Sequence, residues 1–315
     1  MTATMPSQRT RITTITTSKS SEVETMQAVW HAIVEPGFAE SSQVQLAATI
    51  GGLVATVTAC VGVFTVIRGQ SFAGEALGDI GAAGGAGAYL VGAAALWGFV
   101  ASSIVAAGAM ELVGIQRNRG RDLATGIVLG VGFSLTALFL YLTSTAKSTT
   151  GAPIVILFGS LFGISSSSLP LVLALSAIAG ALLIVLYRPL LLVSVSPELA
   201  AARGIPVRLV GAAYLIALAV AVALAADTIG AILSTALLVG PAATALRITS
   251  RPHRALLAAT GIALACTWLG ILLAYDSYYW PHHGWPVSFF IVTLVLAGYL
   301  ASGLKARGRR GARAA

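Results

Sequence analysis

The stretch that decides the fold is residues 44–91, VQLAATIGGLVATVTACVGVFTVIRGQSFAGEALGDIGAAGGAGAYLV. Residues 44–67 carry no charge, and Arg68 ends the run. A hydrocarbon core of about 30 Å takes roughly 20 apolar helical residues to cross, so this run is a membrane span. A second span should follow it. Yet residues 71–90 hold Glu75, Asp79 and six glycines.

Runs like the first recur along all 315 residues. The chain is 57% hydrophobic and 10% charged, with a mean hydropathy of +0.89. A soluble domain carries about 25% charged residues, so this chain has too few polar side chains to face water. A transmembrane barrel would alternate apolar and polar residues in segments of about ten, and these runs do not alternate. The fold class is therefore all-α, a polytopic transmembrane helical bundle. Nine candidate spans read at 44–67, 73–91, 94–115, 122–142, 169–187, 209–226, 229–246, 256–275 and 287–304. The second is the weakest, because of its acids and glycines, so the count is eight to nine. Between the fourth and fifth lies APIVILFGSLFGISSSSLP, residues 152–170. Its apolar part is too short to cross, which makes it a re-entrant or interfacial segment.

Basic residues set the orientation. The net charge is +8, and 16 of the 19 basic residues are Arg. Arg68, then Arg117, Arg119 and Arg121, then Arg188, Arg203 and Arg208, then Arg247, Arg251 and Arg254, then the tail from Lys305 fall at alternate span ends. Those ends belong in the cytoplasm. The arrangement places the N-terminus outside, although Arg9, Arg11 and Lys19 lie there. The basic tail 305–315 reads as a cytoplasmic anchor rather than a nucleic-acid patch. Residues 1–40 divide into a Ser/Thr-rich stretch with no core-forming residues, read as disordered, and MQAVWHAIVEPGF (26–38), read as a helix in the membrane interface. No apolar signal-peptide region appears among them. Residues 41–304 form the transmembrane domain.

Between the fifth and sixth spans, YRPLLLVSVSPELAAARGIPVRL (187–209) reads as a long cytoplasmic loop. Ser196-Pro197-Glu198 is a helix start, with a capping side chain, Pro in the first turn and an acid at the positive end of the dipole. Gly204 and Pro206 end the helix after about two turns. On composition alone it is either a capped connector or something more.

No catalytic or nucleotide-binding motif is present. The only lysines are Lys19, Lys147 and Lys305, and none completes a phosphate-binding loop. The chain is read as a non-enzyme, and energy for uphill transport must come from an ion gradient or another subunit. Cys60 and Cys266 sit in apolar runs and read as packing residues.

Charge at bilayer depth costs several kcal/mol and usually marks a pathway. Glu75 and Asp79 stack one turn apart on one helix face, with no basic residue in the same span. Protonation, a bound cation or contact with cytoplasmic water would each relieve their repulsion. Two carboxylates at this spacing suit a hard divalent cation. Glu75 could otherwise simply cap a helix at the interface. Gly74, Gly78, Gly81 and Gly85 form a stripe beside the acids, which serves close helix packing or, if the helix breaks, exposes carbonyls to a path. Asp227 reads first as an N-cap at an external turn and second as a metal ligand on the path. His282 and His283, in the aromatic external loop YDSYYWPHHGWP (275–286), read first as loop filler in an aromatic belt and second as a metal scavenger.

Four stretches in order resemble one family, the integral-membrane permeases of zinc/manganese/iron uptake ABC transporters. They are GVFTVIRGQSFAGEALGDIGAAGGAGAYL, ILFGSLFGIS, YRPLLLVSVSPELAAARGIPV and DTIGAILSTALLVGPAATALR. The resemblance covers about residues 40–303. It implies a multi-pass protein of the bacterial cytoplasmic (inner) membrane that works as a homodimer. A separate ABC ATPase supplies the energy, and an extracytoplasmic metal-binding protein delivers the ion. The helix after Ser196 then becomes a coupling helix, with Pro197, Glu198, Arg203 and Gly204 at the ATPase contact. No cofactor is held permanently, and the divalent ion (manganese or zinc) is cargo. Glu75 and Asp79 become its transient ligands or gate. Aligned on Phe72, Glu75 stands where the family has Asp, Asp79 where it has His, Gly78 where it has Ser and Ala83 where it has Pro. The expected function is import of manganese or zinc. The alternatives are a proton- or sodium-coupled carrier and a siderophore- or cobalamin-type ABC permease.

Overall fold

The computed structural model describes residues 41–113, 121–146, 151–159, 161–277 and 284–314. The expected interfacial helix, the N-terminal tail, and His282 and His283 lie outside the described residues. The helices are α1 (Ser42–Ile67), α2 (Ser71–Val91), α3 (Ala95–Val113), α4 (Arg121–Ala146), α5 (Ala152–Phe158), α6 (Leu169–Val195), α7 (Pro197–Ala202), α8 (Val207–Ile229), α9 (Ala231–Ile248), α10 (Pro252–Ser277) and α11 (Val287–Ala314). Two single 3₁₀ turns, Leu161–Gly163 and Ser166–Ser168, join α5 to α6. The described residues contain no strand, so the all-α expectation holds.

Eight of these helices are long and apolar enough to cross a membrane. The ninth, α2, has the length at 21 residues, but its acids and glycines keep it out of that set. It is placed where apolarity is not required, against α3, α4, α8 and α9. A span enclosed by protein can be thin and polar where a lipid-facing one cannot. At the centre stand α8 and α1, with 78% and 67% of their most apolar windows buried, against 17% for the peripheral α11.

α5 is seven residues long, about 10 Å, and does not cross. It packs on α2, α4, α8 and α9. Its end meets the α8–α9 junction at close range. A Cβ on Gly159 would lie 2.5 Å from Ile229 C, and one on Gly230 would lie 2.3 Å from Leu157 O. Both glycines have positive φ, 76° and 104°, so an L side chain is excluded there by conformation as well as by space.

Two expectations are corrected. The cytoplasmic loop does not begin at Tyr187, because α6 continues through Pro189 to Val195. Proline removes one helical hydrogen bond, and the surrounding bundle tolerates the loss. Asp227 is not an N-cap. It lies in the last turn of α8, and the break falls at Gly230, which carries no side-chain cap for α9. The tail also differs in form, since α11 runs on through the basic residues to Ala314.

At the Arg68 end of the core, Tyr214 is fully buried. It shares a 2.7 Å hydrogen bond with Thr65, and Arg68 lies 5.1 Å above its ring. Arg68 Nε donates to Gln70 Oε1 at 3.2 Å. The first base after the first span thus packs over the core while its charge stays at the helix end.

Candidate functional site

α2 is a single unbroken helix, so its glycines serve packing rather than opening its backbone. Each member of the stripe meets a neighbour directly. A Cβ on Gly74 would sit 2.7 Å from Leu238, one on Gly78 3.2 Å from Val222, one on Gly81 2.6 Å from Ser103 Oγ, and one on Gly85 2.5 Å from Phe99. The stripe is the seat of α3, α8 and α9 on α2. That close fit turns the neighbouring flank, which bears the acids, away from these helices.

On a helix Phe72, Glu75 and Asp79 share a flank, and Ala82 and Ala86 continue it. Phe72 is 64% exposed, the two acids are half-buried, and Ala82 and Ala86 are buried. The flank is open at the start of α2 and closed toward its C-terminal end. At a rise of 1.5 Å per residue, Glu75 and Asp79 lie about 6 and 12 Å along the helix from Ser71. Their Cβ atoms are about 6 Å apart by helix geometry. Among the described residues no Lys, Arg or His pairs with either acid. A groove of about 420 Å³ begins at Ser71, one turn before Glu75. Thr235 and Val239 of α9 and Val292, Leu296 and Tyr299 of α11 line it. Ser71 is the one residue of α2 that lines it, and neither acid does.

Among the described residues no group of three or more His, Cys, Asp or Glu could hold a metal. Two carboxylates alone leave coordination positions for water, carbonyls or another chain. That suits passage better than storage. Asp227 is half-buried at the opposite end of the bundle, and no described metal-ligating group includes it.

Sequence reading missed the hydroxyls that hold α2. Thr136 Oγ1 donates to Asp79 O at 3.1 Å, and Ser103 Oγ donates to Leu77 O at 3.0 Å. These partners lie 57 and 26 residues apart, beyond any local pattern. The only available signal was that small hydroxyl residues are over-used where membrane helices meet.

α7 forms as its sequence demands. Ser196 Oγ accepts from Leu199 N at 3.3 Å, Pro197 occupies the first turn and Glu198 follows. Gly204 closes the helix at φ 77°. Ala200 is fully buried, whereas Leu199 is 47% exposed. Glu198, Arg203 and Gly204 are exposed as well. Beside α7 runs a groove of about 810 Å³, with Leu191, Leu192, Val195 and Ile205 along it and Arg188 and Arg203 charging it. An exposed leucine on a short helix, next to an apolar groove with basic residues, is a protein-docking pattern; sequence reading placed Pro197, Glu198, Arg203 and Gly204 at that contact and missed Leu199 and the groove.

Among the described residues, a membrane bundle that encloses an acid-bearing helix and carries an outlying capped helix has the form of a transport subunit. The chain belongs to the ABC 3 transport family, whose model matches residues 40–302. It is thus a permease of the metal-uptake ABC class, a multi-pass protein of the bacterial inner membrane, with ATP hydrolysis on a separate subunit. It is 31% identical over 211 residues to the manganese transport system membrane protein MntC of Halalkalibacterium halodurans, covering 67% of this chain and 71% of the relative. It is 26% identical over 223 residues to the manganese import system permease protein ScaB of Streptococcus parasanguinis, covering 71% and 78%. The solved structure of PsaBC from Streptococcus pneumoniae in complex with Fab matches with a TM-score of 0.72 and 25% identity, over 84% of this chain and 92% of that one.

Proposed function

We propose that this permease imports manganese, and that Glu75 and Asp79 are the ligands the ion meets on its way through. The observation that carries the reading is the pair itself. Two half-buried carboxylates lie one turn apart on an enclosed helix, with no described cationic partner. Oxygen ligands suit Mn²⁺, and the pair lacks the imidazole that serves the softer Zn²⁺. The names of the relatives, manganese transport and import proteins, point the same way. The ion travels between two copies of the chain, each presenting the acid-bearing flank of α2. An extracytoplasmic binding protein delivers it from outside. The ATPase docks on α7, with Leu199 and Glu198 at the contact and Arg203 and Arg188 along the groove beside it.

The test is manganese accumulation in the source bacterium with this gene deleted. Restoring the wild-type chain returns the manganese content, and the double variant Glu75→Gln/Asp79→Asn does not, although it reaches the membrane at the same level. Normal accumulation with the double variant would remove the two acids from the path. If deletion lowered zinc and left manganese untouched, the choice of ion would be wrong and the path could stand.

A further inference from the structure

The helix that bears the two acids is gripped on its main chain from outside. Thr136 of α4 donates to Asp79 O at 3.1 Å and to Gly132 O, one turn back, at 2.9 Å. From α3, Ser103 Oγ donates to Leu77 O at 3.0 Å and Ser102 Oγ reaches Gly81 O at 3.4 Å. The carbonyls of residues 77, 79 and 81 are thus held from two sides, and Asp79 is the middle one.

Thr136 differs from the two serines. Its side chain is β-branched and stiff, it is only 4% exposed, and it meets the residue whose carboxylate is at issue. A threonine inside a helix ordinarily returns its proton to its own preceding turn. Here the hydroxyl divides it between that turn and α2. Gly132 makes this possible. A Cβ there would stand 3.0 Å from Ile80 N and 3.1 Å from Asp79 C. Only a residue without a side chain lets α4 come down on the α2 backbone at this point. The opposite flank of α2 is mostly glycine, with Leu77 its one large buried side chain, so the hydroxyls add a directional restraint on rotation that apolar packing does not give.

We propose that Thr136, seated by Gly132, is a positioning residue for the ion path. It fixes the rotation and axial register of α2 at Asp79, and with them the angle at which the Asp79 and Glu75 carboxylates meet the ion. The inference rests on the reading of those acids as the path. Ligand geometry must hold within about 0.5 Å and 10–20° to select an ion, and residues that orient ligands typically change metal handling by roughly 10–100-fold when lost.

The test uses the full chain with its native partner subunits, in cells lacking the chromosomal copy. Initial uptake of radiolabelled manganese and of zinc is measured per permease molecule in the membrane. Thr136→Val lowers manganese uptake about tenfold and shifts the manganese-to-zinc ratio. Thr136→Ser, which keeps the hydroxyl, restores both to about the wild-type values. Three results would overturn the proposal: a Thr136→Val variant with wild-type rate and ratio, a lowered rate with the ratio unmoved, or a Thr136→Ser variant as defective as the valine. If Thr136→Val fails to accumulate, Gly132→Ala decides. That variant lifts α4 by a few tenths of an ångström and leaves the hydroxyl in place. A changed ratio supports the proposal and an unchanged one overturns it. The Glu75→Gln/Asp79→Asn double variant runs alongside. Full transport by it removes the path itself, whereas its inactivity beside an unaffected Thr136→Val removes only the positioning role.

Discussion

α8 and α2 are both enclosed by the bundle, and they are enclosed by opposite means. α8 is filled: Tyr214, Leu218 and Leu224 are completely buried, and an unbroken run from Ala217 to Ala226 is hidden from solvent. α2 is emptied: six glycines remove its side chains, and its neighbours come to rest on its backbone. The membrane supplies little hydrophobic drive between helices, because lipid is as apolar as leucine. Cohesion must then come from dispersion over large contacts or from close approach with hydrogen bonds. α8 uses the first and α2 the second. Only the second leaves a helix thin enough to carry two carboxylates inside a bundle. The hydroxyl donors from α3 and α4 satisfy carbonyls of a helix that has few side chains of its own to grip.

The largest effect should come from adding bulk to the emptied helix. A Cβ on Gly84 would lie 2.4 Å from Gly98 O and one on Gly98 would lie 2.2 Å from Gly84 O, so the two backbones face each other with nothing between them. Overpacking a rigid contact of this kind costs about 3 kcal/mol. Gly84→Val should therefore fail to accumulate, or melt far below wild type in detergent when followed by size-exclusion chromatography of heated samples. A wild-type melt would show that close approach is not what seats α2. Removing bulk from the filled helix should do less. Leu224→Ala leaves a cavity in α8 and costs about 2 kcal/mol, and the folded fraction should still transport metal at the wild-type rate per molecule. If the leucine deletion proved the more damaging of the two, the contrast between the helices would fail.

A third change tests the chemistry that the emptied helix permits. Asp79→His places an imidazole beside Glu75. It should raise zinc uptake relative to manganese several-fold, because imidazole suits zinc and an all-oxygen pair suits manganese. The fold should be untouched, since Asp79 is half-buried on the open flank. Paired uptake of the two ions at equal membrane levels measures it, and an unchanged ratio would separate Asp79 from selectivity.

The parts legible in sequence were those written locally. Apolar runs with Arg at alternate ends gave the spans, and the shortness of residues 152–158 gave a helix too short to cross. Ser196, Pro197, Glu198 and Gly204 gave α7 with its bounds. The spacing of Glu75 and Asp79 gave their shared flank. Missed features depended on partners distant in sequence. The fifth span read as ending at 187, yet α6 passes through Pro189 to Val195 in a bundle that tolerates the lost hydrogen bond. Asp227 looked like a cap, yet α8 reaches Ile229 and breaks at Gly230, whose backbone is pressed against Leu157 and Phe158. The Thr136 contact with Asp79 spans 57 residues, and nothing near either residue announces it.

The smallest expected effect lies outside both helices, at α7, where neither filling nor emptying applies. Six residues cannot hold a helix by propagation alone. α7 rests on its cap, on the burial of Ala200, and on the closing bonds from Gly204 N to Ala201 O at 2.9 Å and Ile205 N to Ala200 O at 3.0 Å. Ser196→Ala removes the acceptor for Leu199 N, a loss of about 1 kcal/mol. Because α7 lies apart from the central packing, the melting temperature should stay within a degree or two of wild type. Uptake per molecule should fall by about fivefold at most, the factor equivalent to one such cap. Ser196→Asp, an equally good cap, should recover it. Wild-type uptake by Ser196→Ala would mean that the partner holds α7 in shape by itself, so that the cap contributes only in the unassembled permease.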